Sequence, residues 1–273
     1  MPGADPDPHG LLATAVSVVR PAAEQVRRMR GAAVGDVTTK STDTDVVTAA
    51  DRAVERQVVQ ALRSLRPHDT VLGEEYGAAG APPDGAGAVR WLLDPIDGTV
   101  NYLYGVPFYA VSLAAEVAGQ VVAGVVRNAA TGQEWTAVLG RGAYRDGVRL
   151  AGSAQTRLSH ALVATGFGYE PARRTHQARV IAGLLAQVRD IRRFGAAALD
   201  LCMAAGGTVD AYFEKGLNPW DHAAGGLIAA EAGLVVAGLA GAPPGPDLVI
   251  AAPPARFGPL HDRLRELDAA GGP

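Results

Sequence analysis

Residues 91–99 read Trp-Leu-Leu-Asp-Pro-Ile-Asp-Gly-Thr, and this stretch decides how the chain folds. The apolar run that leads into it, starting at Val89, is typical of a buried strand. The strand ends in two carboxylates, Asp94 and Asp97, after which Gly98-Thr99 can open a helix. Acidic side chains bind divalent cations, and the free N–H groups at a helix start bind phosphate. The stretch therefore contains both halves of a metal-dependent phosphatase site.

Composition limits the class of protein. The 273 residues allow one large domain or two small ones, and 48% hydrophobic content is enough for a substantial core. A formal net charge of −3 does not suggest a nucleic-acid partner. The single cysteine, Cys202, excludes an internal disulfide and favours a reducing compartment. Since we find neither a signal-peptide pattern nor an apolar run near the about 20 residues that cross a bilayer, we expect a cytoplasmic protein without a membrane partner.

Local patterns predict a layered α/β protein. Residues 1–9 are predicted to be disordered, and residues 35–47 and 77–88 to be loops. Helices are predicted over residues 11–30, 49–65, 175–188, 197–205, 221–232 and 255–268. Strands are predicted at residues 71–72, 89–93, 108–117, 120–127, 133–139, 142–150, 161–165, 190–194, 208–213 and 247–252. Because strands come first and later alternate with helices, we expect helices to cover sheets in one unit spanning residues 10–268, with subdomains of about 10–150 and 151–268.

Each further acidic residue, taken alone, also has a structural interpretation. Asp51 follows Thr48 by three residues, which is the spacing of a helix capping box. Glu74 follows a predicted strand and precedes a glycine-rich loop, as a solvated turn residue does. Asp221 fits an ordinary helix N-cap.

Taken together, the acids favour a metal site. Each lies where a strand or loop enters a helix, the face where α/β proteins place ligands. Two carboxylates about 4 Å apart repel by roughly 4 kcal/mol at an effective dielectric of 20, and a marginally stable domain does not tolerate several such pairs. Bound divalent cations remove this repulsion. Oxygen ligands favour Mg²⁺, Mn²⁺ or Ca²⁺ over zinc.

Taken in order with residues 94–99, four further segments resemble the inositol monophosphatase family. They are Asp45-Val46-Val47-Thr48-Ala49-Ala50-Asp51, Gly73-Glu74-Glu75, Gly195-Ala196-Ala197-Ala198-Leu199-Asp200-Leu201-Cys202 and Trp220-Asp221-His222-Ala223-Ala224-Gly225. The resemblance extends from about residue 10 to 268, and Gly-Phe-Gly-Tyr at 166–169 is similar to the bacterial branch. It implies an α-β-α-β-α sandwich of the inositol monophosphatase and fructose-1,6-bisphosphatase type. It also implies Mg²⁺-dependent hydrolysis of a phosphate monoester, lithium inhibition and, commonly, a homodimer.

The resemblance assigns the metal ligands. It implies that Glu74, Asp94 and the carbonyl of Ile96 hold a first metal ion. Asp94, Asp97 and Asp221 hold a second one, and Glu74 also contributes to a third, weaker site. All five residues thus belong to the predicted metal set.

The resemblance also assigns catalytic and substrate contacts. Thr99 and Asp51, with Glu74, are the catalytic residues, and the first two orient the attacking water. The phosphate and alcohol parts of the substrate contact Asp97, Gly98, Thr99, Ala197, Glu214 and Asp221. Lys40 falls in the loop where family members place a basic residue near the metals.

The substrate expected from the resemblance is myo-inositol 1-phosphate, because the Glu214 carboxylate can accept hydrogen bonds from two ring hydroxyls. Alternatives with the same chemistry stay open: histidinol phosphate, fructose 1,6-bisphosphate and 3′(2′),5′-bisphosphate nucleotides. At position 196 some family members carry Thr or Ser, whereas this chain has Ala196. The difference leaves the predicted metal ligands intact but removes a hydroxyl that could contact the substrate. A different class of function, a regulator associated with a protein or with RNA polymerase, also stays open.

Overall fold

The structure is a computed structural model that describes residues 6–30, 37–39, 46–79 and 87–273. The helices of these ranges are α1 (Pro8–Met29), α2 (Ala49–Leu65), α3 (Thr99–Tyr104), α4 (Pro171–Leu185), α5 (Ala197–Ala205), α6 (Pro219–Glu231) and α7 (Pro254–Glu266), with a 3₁₀ turn at Leu158–His160. The strands are β1 (Val37–Thr39), β2 (Val46–Thr48), β3 (Thr70–Gly73), β4 (Gly77–Ala79), β5 (Val89–Asp97), β6 (Ala110–Val117), β7 (Gln120–Asn128), β8 (Glu134–Val138), β9 (Gly142–Arg145), β10 (Val148–Arg149), β11 (Leu162–Thr165), β12 (Asp190–Arg192), β13 (Ala211–Glu214), β14 (Val235–Ala237) and β15 (Val249–Ala252).

Two sheets organise the chain. The large sheet has the strand order β10-β9-β8-β7-β6-β5-β3-β4, and its pairs are antiparallel except for β3 with β5. The smaller sheet has the order β12-β11-β13-β15-β14, in which β11 runs parallel to both of its neighbours. Strands β1 and β2 form a separate antiparallel pair. The large sheet uses strands before residue 150 and the smaller one uses strands after it. The division into subdomains stays a prediction.

Helices cover both sheets in five layers. On one face of the large sheet, α1 and α2 bury Val19 and Val54 among the apolar side chains of β5, β6 and β7. Between the two sheets lie α5 and α6, with Leu199 and Ile228 fully buried. The outer face of the smaller sheet is covered by α4 and α7, which bury Leu184. The order is α-β-α-β-α, so the predicted fold class is confirmed. No helix of the described ranges is both long and apolar enough to cross a bilayer.

The prediction that residues 1–9 are disordered is wrong for Pro8 and His9, which belong to α1. Asp7 is the reason, because its side chain accepts hydrogen bonds from the backbone N–H groups of His9 and Gly10 and so caps the helix. Pro8 at the first helical position has its backbone φ already set for a helix. Residues 1–5 lie outside the described ranges.

Two segments predicted as loops contain strands. The segment 35–47 includes β1 and most of β2, and the segment 77–88 begins with β4. Strands of three residues are too short to show the alternation of apolar and polar residues on which sequence prediction relies. The rest of both segments lies largely in 31–36, 40–45 and 80–86, outside the described ranges, and Lys40 lies there too.

Candidate active site

The parallel pairing of β3 with β5 brings the first acids together. Gly73 lies opposite Leu93 in this pair, so that Glu74 and Asp94, the next residues, follow at the same edge of the large sheet. A cavity of about 810 Å³ opens at this edge. Nine of the predicted site residues line it: Glu74, Asp94, Ile96, Asp97, Gly98, Thr99, Ala197, Glu214 and Asp221. Asp51 lies behind Thr99.

Asp94 is the most enclosed of the acids that line the cavity. Its side chain is 3% exposed, and one carboxylate oxygen accepts a hydrogen bond from the Ile96 N–H at 3.0 Å. Burial, and after it the negative charges of Glu74, Asp97 and Asp221, hold the pKa of Asp94 well above its usual range. Within the described part of the chain, no cation forms an ion pair with Asp94, Asp97 or Asp221. These three carboxyl groups are therefore not offset by an ion pair within the described ranges.

Asp97 joins the strand to helix α5. Its two carboxylate oxygens accept hydrogen bonds from the N–H groups of Ala197 (3.0 Å) and Ala198 (2.9 Å). The N-cap residue of this helix, Ala196, has no side chain that can cap it. Asp97 therefore supplies the cap from a strand 100 residues away in sequence. Burial raises the pKa of Asp97 to about 7, although the N–H groups of α5 act in the opposite direction.

Thr99 begins helix α3 and points its hydroxyl at two acceptors. The hydroxyl oxygen lies 3.2 Å from a carboxylate oxygen of Asp51 and 3.0 Å from the carbonyl oxygen of Ile96. A hydroxyl has one proton, so it donates to one of them at a time. Gly98 before it has φ +88, a left-handed conformation that favours glycine, and a Cβ there would lie 3.0 Å from the carbonyl oxygen of Phe108.

Glu214 and Asp221 form the far side of the cavity. The Tyr212 hydroxyl donates to a Glu214 carboxylate oxygen at 2.7 Å, and burial raises the pKa of Glu214. An Asp221 oxygen accepts from the N–H of Asn218 at 2.6 Å. Burial, with Glu74 second, holds the pKa of Asp221 well above its usual value. The N-cap interpretation of Asp221 is wrong, because α6 begins at Pro219 and Asn218 is its N-cap.

The donor set suits a hard divalent cation. Among the described residues, no group of three or more His, Cys, Asp or Glu side chains is already arranged to hold a metal ion. Asp94, Asp97 and Asp221 each direct at least one oxygen to a backbone N–H group instead. The residues that line the cavity include four predicted carboxylate ligands and the Ile96 carbonyl, with neither His nor Cys. A set of oxygen ligands without His or Cys fits Mg²⁺ better than zinc. The assignment of individual ligands stays a prediction.

Sequence reasoning missed Glu55, which shapes the turn that carries Glu74. The Glu55 side chain is buried, and its two oxygens accept from the N–H groups of Glu75 (2.8 Å) and Tyr76 (3.0 Å). A Cβ at Gly73 would collide with this carboxylate, which explains the glycine. The available signal was a glutamate directly after Val54, on the buried face of α2.

Three comparisons place the chain among known proteins. The family model described as "Inositol monophosphatase family" matches residues 7–266. A Mycobacterium leprae protein named "Inositol-1-monophosphatase" is 48% identical over 246 residues, which are 85% of this chain and 84% of that protein. A Salmonella typhimurium protein named "Nus factor SuhB" is 35% identical over 85% of this chain and 86% of its own length. The solved structure of Mycobacterium tuberculosis SuhB matches with a TM-score of 0.82 and 39% identity, covering 98% of this chain and 100% of that chain.

Proposed function

The chain belongs to the inositol monophosphatase family, and thus to the phosphatases, and on this premise we propose that it hydrolyses myo-inositol 1-phosphate with Mg²⁺. The observation that carries the proposal is the gathering of Glu74, Asp94, Asp97 and Asp221 around one cavity, with Thr99 at its wall. The name of the Mycobacterium leprae relative supports the choice of substrate.

The acids divide into two metal positions. Glu74, Asp94 and the carbonyl of Ile96 would hold one Mg²⁺, and Asp94, Asp97 and Asp221 would hold a second, with Glu74 also contributing to a weaker third. Such ions, when bound, neutralise phosphate charge and lower the pKa of a coordinated water. Asp94, Asp97 and Asp221 form no ion pair with a cation of the described chain, which supports this assignment.

Thr99 and Asp51 orient the attacking water. Asp51 is 1% exposed and within hydrogen-bond distance of the Thr99 hydroxyl. When the hydroxyl donates to Asp51, its own lone pairs remain available to accept a hydrogen bond from water in the cavity. This arrangement turns an oxygen lone pair of the water toward the phosphorus. The backbone N–H groups of Gly98 and Thr99 donate hydrogen bonds to the phosphate oxygens and so stabilise their negative charge directly.

Glu214, with Ala197 and Asp221, contacts the alcohol part of the substrate. Tyr212 fixes the orientation of the Glu214 carboxylate by its hydrogen bond to one oxygen. A carboxylate fixed in this way accepts hydrogen bonds from neighbouring hydroxyls of a polyol. Histidinol phosphate, fructose 1,6-bisphosphate and 3′(2′),5′-bisphosphate nucleotides are the alternative substrates within the same chemistry.

A comparison of substrates tests the assignment. Phosphate release is measured from inositol 1-phosphate, histidinol phosphate, fructose 1,6-bisphosphate and adenosine 3′,5′-bisphosphate under one Mg²⁺ condition, with and without LiCl. We expect inositol 1-phosphate to have the highest kcat/KM and lithium to inhibit its hydrolysis. A tenfold lead of another substrate, about 1.4 kcal/mol of transition-state preference, rejects the inositol assignment and leaves the phosphatase assignment in place.

We also propose a homodimer, as the resemblance implies. Tyr104 and Val106, at and after the end of α3, are exposed apolar residues, and Tyr104 is 84% exposed. Adjacent exposed apolar side chains of this kind are typical of protein contacts. Light scattering of the purified protein should give twice the mass of one chain.

A second function, in regulation, is favoured by one observation: relatives such as the Salmonella protein carry the name Nus factor. A surface role of this kind does not need turnover. An Asp94→Asn variant without phosphatase activity should then still co-migrate with purified bacterial RNA polymerase in size-exclusion chromatography, as the wild type does. If the wild type and Asp94→Asn both elute separately from the polymerase, the regulatory role is rejected.

A further inference from the structure

The chain after α7 returns across α4 to the mouth of the catalytic cavity. A ring nitrogen of His176, on α4, lies 2.7 Å from the carbonyl oxygen of Asp268. Ala269 is 3% exposed and packs in the core beneath the smaller sheet. Pro273 then lines the same cavity as the catalytic acids. Residues 268–273 thus form a packed segment that reaches the site.

Lys215 binds this segment. Its ammonium group donates to the carbonyl oxygens of Gly271 (2.7 Å) and Gly272 (2.9 Å). Lys215 directly follows Glu214 and lines the cavity with it. Lys215 has no ion pair with an Asp or Glu side chain in the described chain, and both of its hydrogen bonds go to backbone oxygens.

Arg173 is the second cation at the mouth, and the backbone around it is shaped to receive its side chain. Its Nε donates to a backbone oxygen of Pro273 at 3.1 Å. A Cβ at Gly168 would lie 2.7 Å from the Arg173 Cδ, and a Cβ at Gly216 would collide with the guanidinium. Gly216 also has φ +93. Like Lys215, Arg173 forms no ion pair with an Asp or Glu side chain that the structure describes.

We propose that Arg173 and Lys215 form an anion subsite on the alcohol side of the cavity, and that residues 271–273 occupy it with their backbone oxygens. This inference rests on the proposed phosphatase function and adds a determinant of specificity to it. A substrate whose alcohol carries a second phosphate needs these two cations. Residues 271–273 exclude it by competing for them, and a neutral polyol monophosphate is unaffected.

The competition is effective because it is intramolecular. A phosphate makes stronger, charge-assisted hydrogen bonds to Arg and Lys than a carbonyl does. The segment, however, is held in place by buried Ala269 and by His176, so its oxygens are present at an effective concentration on the order of mM. A second phosphate therefore gains access only slowly or weakly in the intact chain. Removal of residues 271–273 takes away no buried side chain and leaves the subsite open.

Deletion of residues 271–273 tests the proposal. We expect kcat/KM for fructose 1,6-bisphosphate to rise at least tenfold, and kcat/KM for inositol 1-phosphate to stay within twofold of the intact chain. Lys215→Met in the deletion variant should cancel the gain. The matched control is Arg174→Met in the deletion variant. Arg174 is exposed and does not line the cavity, so this change should preserve the gain in kcat/KM. An unchanged ratio of the two specificity constants after deletion overturns the proposal.

A binding measurement separates this proposal from the phosphatase assignment. Without metal, the catalytic acids repel anions, so inorganic phosphate should bind only at the mouth. Calorimetry in the presence of EDTA should detect phosphate binding to the deletion variant and none to the intact chain or to the deletion variant with Lys215→Met. Equal binding to all three proteins overturns the subsite. If no phosphate ester is hydrolysed by any variant, the proposed function fails and calorimetry still decides the subsite.

Discussion

At the residue scale, the Thr99 hydroxyl is assigned to water rather than to metal. Asp51 and the Ile96 carbonyl are both acceptors within hydrogen-bond distance, and the hydroxyl donates its one proton to one of them at a time. Thr99→Ala should lower kcat by roughly 10²- to 10⁴-fold, the usual contribution of a positioned proton-transfer group, with little change in Mg²⁺ affinity measured by calorimetry. Thr99→Ser, which keeps the hydroxyl, is the control and should retain most of the rate. Equal losses in rate and in Mg²⁺ binding after Thr99→Ala would show a structural role instead.

Glu214 is the residue to which we assign the preference for a polyol. Glu214→Gln keeps the size of the side chain but halves its capacity to accept hydrogen bonds from hydroxyls. The KM for inositol 1-phosphate should therefore rise more than the KM for a plain aryl phosphate, since only inositol presents ring hydroxyls. The two KM values are compared in one buffer with one Mg²⁺ concentration. A parallel rise for both substrates contradicts the assignment.

The residues of the acid motifs were predictable because each motif is contiguous. Asp94 and Asp97 follow a recognisable strand, and the parallel pairing of β3 with β5 places Glu74 beside them. The cap that Asp97 gives to α5 was not predictable, because it joins residues 100 positions apart. Glu55 was missed for the same reason, since its two partners lie 20 and 21 residues away, beyond strand β3.

At the scale of elements, α5 and α6 pack unusually closely between the two sheets. A Cβ at Gly225 would lie 2.9 Å from the Leu201 Cβ and 3.0 Å from the carbonyl oxygen of Ala198. Gly225→Ala should therefore destabilise the protein by about 1–3 kcal/mol through overpacking, measured by urea unfolding. Gly226→Ala is the matched control, because its Cβ would meet only Val236, at 3.8 Å. That change should be neutral or stabilising by up to about 1 kcal/mol. Equal effects of the two substitutions would contradict the packing argument.

Helices with capping and apolar signals were predicted well, and short strands were not. The predicted bounds of α5 agree with the structure, whereas α4 begins at Pro171, four residues earlier than predicted. The Glu170 side chain caps this helix by accepting from the N–H of Ala172, a local signal that was overlooked. Strands β1, β4 and β14 have three residues each, and partners elsewhere in the chain define them.

At the scale of the whole molecule, the buried acids make stability depend on pH and on metal. A carboxyl with a higher pKa in the folded than in the unfolded state binds more protons when folded, so the free energy of unfolding falls as pH rises between the two values. Burial raises the pKa of Asp97 from 3.8 to about 7. The stabilisation of the fold that this pKa difference gives is fully present below pH about 4. It is lost as the pH rises through about 7.

Calorimetry in EDTA should therefore show a Tm that falls between pH 5 and pH 8. Saturating Mg²⁺ should raise the Tm more at pH 8 than at pH 5, because the ion binds the deprotonated acids. Asp94→Asn, which removes one of the mutually repelling charges, should show a smaller fall with pH. A metal-free Tm that is constant or rises toward pH 8 would contradict the charge argument.

The layer order of the molecule followed from the resemblance, and the strand order did not. Grouped strands before residue 150 and alternating elements after it indicate helices on sheets. Which strands pair, such as β3 with β5 across the segment 74–88, depends on contacts between distant residues that no local pattern encodes.

The central claim is a metal-dependent phosphatase site that depends on Asp94, the acid assigned to both metal positions. Its most direct test is phosphate release from inositol 1-phosphate by chelator-treated protein, with and without added Mg²⁺, for the wild type and Asp94→Asn. Wild-type turnover should disappear on chelation and return with Mg²⁺. The variant should stay folded by circular dichroism and remain below about a tenth of wild-type turnover at saturating Mg²⁺, a loss of more than about 1.4 kcal/mol. Turnover above that level in the variant, or wild-type turnover that persists without Mg²⁺, would contradict the claim.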